Sequence, residues 1–448
     1  MKAAAYQRSW SGSPRRRTPM VEPSVVGLWP LAQSPLPGEL LSSWFARNAL
    51  AHGMKPFSLA TSLWGPRPAV MGRDMDKQAP DPIVADLAHA TGTSLRRASE
   101  TGLPAYDGML VVSYFARSQT QWILPIGLRD RDRRGFGQQF CPACLGTDQK
   151  PYFRRKWRLA VSGACLQHGI ELLDRCPECL RAVLPLRSSG PSSCWRCRSD
   201  LARAESPPAS SHLLSFQARA ENALAQGWVD LHRTAFSYSH LYFALVRQVA
   251  KTLATGPRSM RMREVAASTW GGDPVLPTAK RNRRDVELLP VSDRAPLLDL
   301  TERLLTEWPL RFVETCKKAG VWQSWALADA IDPPHAYLQV VETHLRRPKY
   351  LPNPDEVAAA VAYLRRTHER PSREALKKLL GHTKLGQAHL PPLAPERTGR
   401  MPMTTGRDHG TLPSEVPDAR RGSRNERRSG AAGRSADAGR RGTLACRL

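Results

Sequence analysis

Four pairs of cysteine or histidine residues, each pair separated by two residues, lie within residues 141–197 of this chain. The pairs are Cys141-x2-Cys144, Cys165-x2-His168, Cys176-x2-Cys179 and Cys194-x2-Cys197. A gap of two residues lets a tight turn direct both side chains at one ion, and two such pairs complete a tetrahedron. Thiolates with one imidazole favour zinc over magnesium or calcium. The spacing therefore predicts two bound Zn2+ ions.

Pairing in chain order gives each ion a short loop, which has the lower entropic cost of closure. The first site is then Cys141, Cys144, Cys165 and His168, and the second is Cys176, Cys179, Cys194 and Cys197. Interleaved pairing stays open, as do unliganded thiols, disulfides and an iron–sulfur cluster. Protein side chains fill every ligand position, so we expect structural zinc ions on which small modules depend for folding. Cys316 and Cys446 lie outside any pair and are expected to be plain thiols.

The length of 448 residues suggests two to four domains, and the 41% hydrophobic content is enough to build their cores. A net charge of +26 favours polyanionic partners such as DNA. No apolar stretch approaches the roughly 18 residues that span a bilayer, and the N-terminus lacks the apolar core of a secretory signal. We therefore expect a cytoplasmic bacterial protein, with no membrane partner and with reduced thiols.

Hydrophobic periodicity predicts a mainly α, multidomain fold with little β structure, in which helical units flank the central tandem zinc-finger module. The predicted divisions are a flexible basic arm (1–22), an N-terminal helical domain (23–140), the zinc-finger module (141–203), a C-terminal helical domain (204–390) and a disordered Arg-rich tail (391–448). Within the C-terminal domain we predict helices at 213–226, 241–253 and from about 297 to 380. Residues 256–296, rich in Pro and Gly, read as a surface connection.

Two helix pairs have the outline of a helix-turn-helix. Helices are predicted at 82–91 and 95–101 around Gly92, and at 355–367 and 373–380 with a Ser372 cap. In the first pair, Leu95 and Ala98 are expected to pack inward, and Arg96 and Arg97 to reach phosphates or guanine edges. An ordinary helix hairpin, with these Arg residues solvated or facing a protein, is the alternative.

A second basic stretch lies between the first two ligand pairs, at residues 151–159. On a helix, Phe153 and Trp157 share one face while Arg154 and Arg158 share another, so Arg154, Arg155 and Arg158 are candidates for phosphate contact. In the alternative interpretation the two aromatic rings form the core of the module and the Arg side chains are solvated.

The order and spacing of these motifs resemble the TniQ family of transposition accessory proteins, which includes the TnsD-type target selectors. The matching segments are Pro37-Gly38-Glu39-Leu40-Leu41-Ser42-Ser43-Trp44-Phe45-x-Arg47, Phe140-Cys141-Pro142-x-Cys144-Leu145, Pro151-Tyr152-Phe153-Arg154-Arg155-x-Trp157-Arg158-Leu159 and the run from Cys165 to Cys179. The resemblance covers about residues 28–200. The Arg-rich tail matches nothing in the family.

The resemblance implies a non-catalytic protein that selects or licenses the insertion site of a transposon. The implied partners are DNA, an AAA+ ATPase, a DDE-type transposase and, in some members, an RNA-guided effector complex. The alternative function is a zinc-containing helix-turn-helix transcription regulator, and a recombinase or nuclease is a more distant one. No Walker A phosphate loop occurs, which excludes an ATPase of that class.

Overall fold

Helices carry most of the regular structure in the computed structural model, which confirms the mainly α fold class. Among the described residues, the strands form two small antiparallel sheets, one pairing Ala164–Cys165 with Ile170–Glu171 and the other pairing Val229–Leu231 with Thr234–Phe236. The structure describes residues 27–66, 68–126, 136–231, 234–236, 238–275, 285–328, 330, 332–347 and 352–381. The predicted basic arm and Arg-rich tail, together with Cys446, lie outside the described residues.

The chain divides into two compact units, Met1–Lys349 and Tyr350–Leu448. One compact unit can contain several segments that fold independently. The domain boundaries predicted from the sequence therefore stay predictions. No helix among the described residues is both long and apolar enough to cross a bilayer.

The described part of the first unit begins with five α-helices. They are α1 (Leu41–Ala51), α2 (Pro56–Trp64), α3 (Met75–Gln78), α4 (Asp81–Ala90) and α5 (Leu95–Ser99). The sequence predicts an amphipathic α1, but most of α1 is buried, its polar residues included. Trp44 and Phe45 of α1 belong to a hydrophobic core shared with Leu59 and Leu87. The polar side chains of α1 therefore need internal partners.

The short helix α5 corrects part of the helix-turn-helix prediction. Ser94 caps it, since the Ser94 hydroxyl accepts the Arg97 amide N–H at 3.4 Å. The helix ends at Ser99, and five residues present one side chain, Ala98, to the core. Leu95 was predicted to pack inward but is 56% exposed, because it lies on the solvent side of this single turn and a half.

The central region combines α6 (Pro142–Thr147) with β1 (Ala164–Cys165) and β2 (Ile170–Glu171). Phe140, Phe153, Trp157 and Leu172 share one hydrophobic core with five of the clustered cysteines, and a sixth, Cys179, packs against it. Phe153 and Trp157 meet edge to face, with ring centroids 6.2 Å apart. The interpretation of these rings as core residues is therefore the correct one. Residues 155–158 form a single turn of 3₁₀-helix, not the longer helix considered from the sequence.

The helical part that follows forms most of the largest core of the described residues, to which Trp122 and Leu159 also contribute. Its elements are α7 (Ser211–Gln226), β3 (Val229–Leu231), β4 (Thr234–Phe236), α8 (Ser239–Ala254), α9 (Ser259–Trp270), α10 (Val291–Leu305), α11 (Leu310–Ala319), α12 (Gln323–Ala326) and α13 (His335–His344). The prediction of a surface connection at 256–296 is wrong for the residues of α9 and for the start of α10. Met262, Val265 and Ala266 give α9 a buried apolar face that the neighbouring Pro and Gly residues obscure in the sequence.

Helix α10 attaches the helical part to the central region. The carboxylate of Asp174 accepts the Val291 amide N–H at 2.9 Å, at the N-terminus of α10. Arg294, fully buried, donates to the carbonyl oxygen of Ala160 at 3.0 Å and to the side chain of Gln139. Burial lowers the pKa of Arg294 to about 10.

In the second unit the structure describes α14 (Pro354–Arg366) and α15 (Arg373–Leu380). A capping box of Asn353 and Glu356 begins α14, and the Ser372 hydroxyl caps α15 by accepting the Ala375 amide N–H at 3.1 Å. The predicted bounds of this helix pair are confirmed to within one residue. A role of the pair in DNA binding stays a prediction.

Candidate metal centres

The first cluster brings together Cys141, Cys144, Cys165 and His168. Cys141 is the N-cap of α6 and Cys144 lies in its first turn, with Pro142 fixing the start of the helix. Cys165 ends β1, and His168 lies in the turn that leads to β2. The helix start and the hairpin turn therefore each contribute one ligand pair.

The separations of the ligand atoms in this cluster match a tetrahedron. Cys144 Sγ lies 3.6 Å from Cys165 Sγ and 3.3 Å from His168 Nδ1, while Cys165 Sγ lies 3.6 Å from the same nitrogen. Ligands at about 2.3 Å (sulfur) and about 2.0 Å (nitrogen) from one zinc stand about 3.8 Å and about 3.5 Å apart in a regular tetrahedron. A disulfide would need sulfur atoms at about 2.05 Å.

The second cluster brings together Cys176, Cys179, Cys194 and Cys197. Cys176 Sγ lies 3.6 Å from Cys197 Sγ, and Cys179 Sγ lies 3.6 Å from Cys194 Sγ. All four sulfur atoms lie within 4.8 Å of one another. In both clusters the donors group in chain order, which is the arrangement that short loops favour.

Three of the four ligand pairs end in the same kind of turn. The residue after the second ligand has a left-handed backbone, with φ of +65° at Gly169, +57° at Leu180 and +64° at Arg198. In each turn this residue donates its amide N–H to the carbonyl oxygen of the first cysteine, at 2.8, 2.9 and 3.0 Å. The repeated turn directs both side chains of a pair to the same side.

Hydrogen bonds to sulfur set the electrostatics of both clusters. Hydrogen bonds with Cys141 raise the pKa of the Cys144 thiol and lower the pKa of the Cys165 thiol. In the second cluster the Ser199 hydroxyl lies 3.1 Å from both Cys176 Sγ and Cys197 Sγ, and it lowers the pKa of Cys197 to about 6. Clustered thiols thus include members that ionise readily, as a metal site requires.

Each cluster can hold a metal ion, and its donor set is compatible with zinc. Four protein ligands close each site and leave no position for substrate, which is the arrangement of a structural ion. Cys316, by contrast, is a buried thiol in the helical core, where burial raises its pKa.

The family model described as TniQ matches residues 30–172. This part of the chain is similar to the TniQ family. The TniQ segment, as we call residues 30–172, contains the first metal cluster and ends before the second. TniQ domains are associated with proteins that select transposition targets, and the family comprises non-catalytic accessories of transposition. A search of curated proteins finds no match to the chain.

Hydrogen bonds inside the protein account for the polar residues of the first motif of the TniQ segment. The Arg47 guanidinium donates to both carboxylate oxygens of the buried Glu39, at 2.8 and 3.0 Å. The Ser43 hydroxyl donates to Glu39 at 3.1 Å and accepts the Phe153 amide N–H at 3.0 Å. The Leu40 amide N–H donates to the Phe153 carbonyl oxygen at 2.9 Å. These bonds join the N-terminal motif to the stretch at 151–159 beside the first metal cluster.

Arg158 lies inside the TniQ segment and has no exposed surface. Its guanidinium donates to Asp74 at 2.6 Å, to Asp76 at 2.9 Å and to the Leu124 carbonyl oxygen at 3.0 Å. The Ser42 amide and hydroxyl donate to the same Asp76 carboxylate, at 2.7 and 2.9 Å. The sequence suggested Arg158 as a phosphate contact, but its burial leaves it no surface to offer, and we leave it out of any contact surface.

The other four Arg residues that the sequence singled out also have internal partners. Arg154 forms a two-bonded pair with Asp148 at 3.0 and 3.1 Å, and Arg155 donates to the Glu100 carbonyl oxygen. Arg97 donates to the Pro35 carbonyl oxygen at 2.7 Å, and Arg96, 90% exposed, pairs with Glu100 at 3.2 Å. Of the five, Arg96 and Arg97 are exposed, and contact of either residue with nucleic acid stays a prediction.

Sequence reasoning missed Asp74 and Asp76, the acidic partners of Arg158, and also Ser199. The acidic pair stands in no motif, and its role depends on an arginine more than 80 residues away. The signal that could have indicated Ser199 is its position two residues after Cys197.

Proposed function

We propose that this protein is a non-catalytic accessory protein of DNA transposition that selects or licenses the target site. The observation that carries the proposal is the TniQ match over residues 30–172, on a segment whose motif side chains are bound internally.

We further propose that both clusters hold Zn2+ and that both ions are structural. The donor sets, three thiols with one imidazole and four thiols, suit zinc, and their separations fit its tetrahedral geometry. Zinc would supply cross-links there, and this chain's residues would supply the packing around them. Five of the clustered cysteines belong to the same core as Phe153 and Trp157, and Cys179 packs against it, so metal binding and core formation are coupled.

The partners in this proposal are DNA and the AAA+ ATPase and DDE-type transposase of the same element, or an RNA-guided effector complex that itself finds the DNA. The net charge of +26 supports direct association with DNA. Bridging would place DNA or the guide complex on one surface and the ATPase on another.

The test is transposition of the element with and without this gene, with insertion sites mapped by sequencing. We expect loss of the gene to abolish insertion at the preferred site or to redistribute insertions. An unchanged frequency and an unchanged distribution of insertions would refute the proposal. As a control, a zinc-ligand variant such as Cys144→Ser should reproduce the effect of deletion, because its module fails to fold.

A further inference from the structure

Three Arg side chains next to the second metal cluster are exposed, and they make no ion pair or side-chain hydrogen bond among the described residues. They are Arg181, Arg196 and Arg198, which we call the knuckle surface. They differ in this from the five Arg residues that the sequence singled out, each of which has an internal partner. The knuckle surface lies after residue 172 and therefore outside the TniQ segment.

Contacts between the two turns bring these residues together. Arg196 and Arg198 flank Cys197, whose sulfur lies 3.6 Å from Cys176 Sγ on the other turn. The Trp195 indole N–H donates to the carbonyl oxygen of Ala182, the residue after Arg181, at 2.8 Å. The three Arg residues consequently stand on neighbouring backbone segments cross-linked by one metal cluster.

The local charge is positive after the metal is counted. Residues 175–203 contain six Arg and two acidic residues, Glu178 and Asp200, a net charge of +4. Zinc with four thiolates contributes about −2, which leaves about +2. Asp200 lies 3.9 Å from Arg203, so its charge is partly offset there.

We propose that the knuckle surface binds the phosphate backbone of DNA. Guanidinium groups match phosphate oxygens in geometry, and a turn fixed by metal ligands presents them with little loss of backbone entropy. Phosphate contacts position a protein on the duplex without reading its sequence. The inference rests on the proposed function, to which it adds the surface that holds DNA.

The experiment measures affinity for a fluorescently labelled duplex of arbitrary sequence as salt rises from about 50 to about 200 mM. The variant is the full chain with Arg181→Gln, Arg196→Gln and Arg198→Gln. The matched control replaces Arg117, Arg346 and Arg347 by Gln, three exposed residues that also have no ion pair or side-chain hydrogen bond among the described residues. Zinc content, measured on each protein, shows whether the clusters stay intact.

Each phosphate contact contributes about 0.9 to the slope of log affinity against log salt, so removing three phosphate contacts should reduce the slope by about 2.7. We expect that reduction in the knuckle variant and a smaller one in the control. Equal slopes in the two variants would overturn the inference. Retained DNA binding with lost association to the ATPase would also overturn it, by making the surface a protein-docking site. If the unmodified chain does not bind DNA, the inference is overturned. The proposed accessory role then stands only through an RNA-guided effector complex that finds the DNA.

Discussion

The Arg158 guanidinium donates to the Asp74 carboxylate at 2.6 Å in the interior of the TniQ segment, with the Arg158 side chain fully buried and that of Asp74 9% exposed. The pair connects the turn before α3 to the 3₁₀ turn beside the first metal cluster. Removing one partner of a buried ion pair leaves an uncompensated charge, which is more costly than the pair is stabilising.

We expect Arg158→Ala to lower the free energy of unfolding by about 3–5 kcal/mol, because Asp74 and Asp76 would remain buried without a counter-ion. Urea unfolding followed by tryptophan fluorescence measures the change. The control is Arg96→Ala, which removes a 90% exposed side chain and should cost no more than about 0.5 kcal/mol. Similar losses in the two variants would contradict the buried-network interpretation.

Asp76 should make stability depend on pH. Burial raises its pKa from 3.8 to about 6, partly offset by Arg158. Since the folded state holds this proton more tightly than the unfolded state, the stabilising contribution is fully present below about pH 3.8 and is lost as the pH rises through about 6. We expect Asp76→Asn to lack this loss, so that its stability relative to the unmodified protein rises as the pH increases from about 4 to about 7. If the free energies of unfolding of the two proteins change with pH in parallel, the pH dependence does not come from Asp76.

Elemental analysis should find about two zinc ions per chain. Cys144→Ser and Cys179→Ser should each remove one ion and make the module around it sensitive to protease, because metal binding is coupled to folding. Cys316→Ala is the matched control, since this cysteine lies in the helical core outside both clusters, and it should retain both ions. A well-folded protein with less than one zinc per chain would disprove both metal sites.

Ser199→Ala should loosen the second metal cluster. The Ser199 hydroxyl lies 3.1 Å from the sulfur atoms of Cys176 and Cys197, and loss of such an outer partner commonly weakens metal binding about 10-fold to 100-fold. We expect zinc to pass to a chelator at least about ten times faster than from the unmodified protein. Ser189→Ala, at a nearby exposed serine, should not change the rate. If both variants release zinc at the wild-type rate, Ser199 has no role in holding the ion.

The sequence by itself determined the features that depend on neighbours along the chain. The two-residue gaps defined the ligand pairs. The lower entropic cost of closing short loops indicated that Cys141, Cys144, Cys165 and His168 would group together. Local signals also gave the bounds of α15, from the Ser372 cap to Gly381. Such features are set by turn geometry and periodicity within a few residues.

Only the tertiary structure decided which charged residues face solvent. Arg158 and Arg196 each follow a tryptophan in the chain, yet Arg158 is buried between Asp74 and Asp76 while Arg196 is exposed next to Cys197. The partners of Arg158 lie more than 80 residues away. Burying a guanidinium is favourable only where distant carboxylates meet it, and no local pattern in the sequence records that meeting.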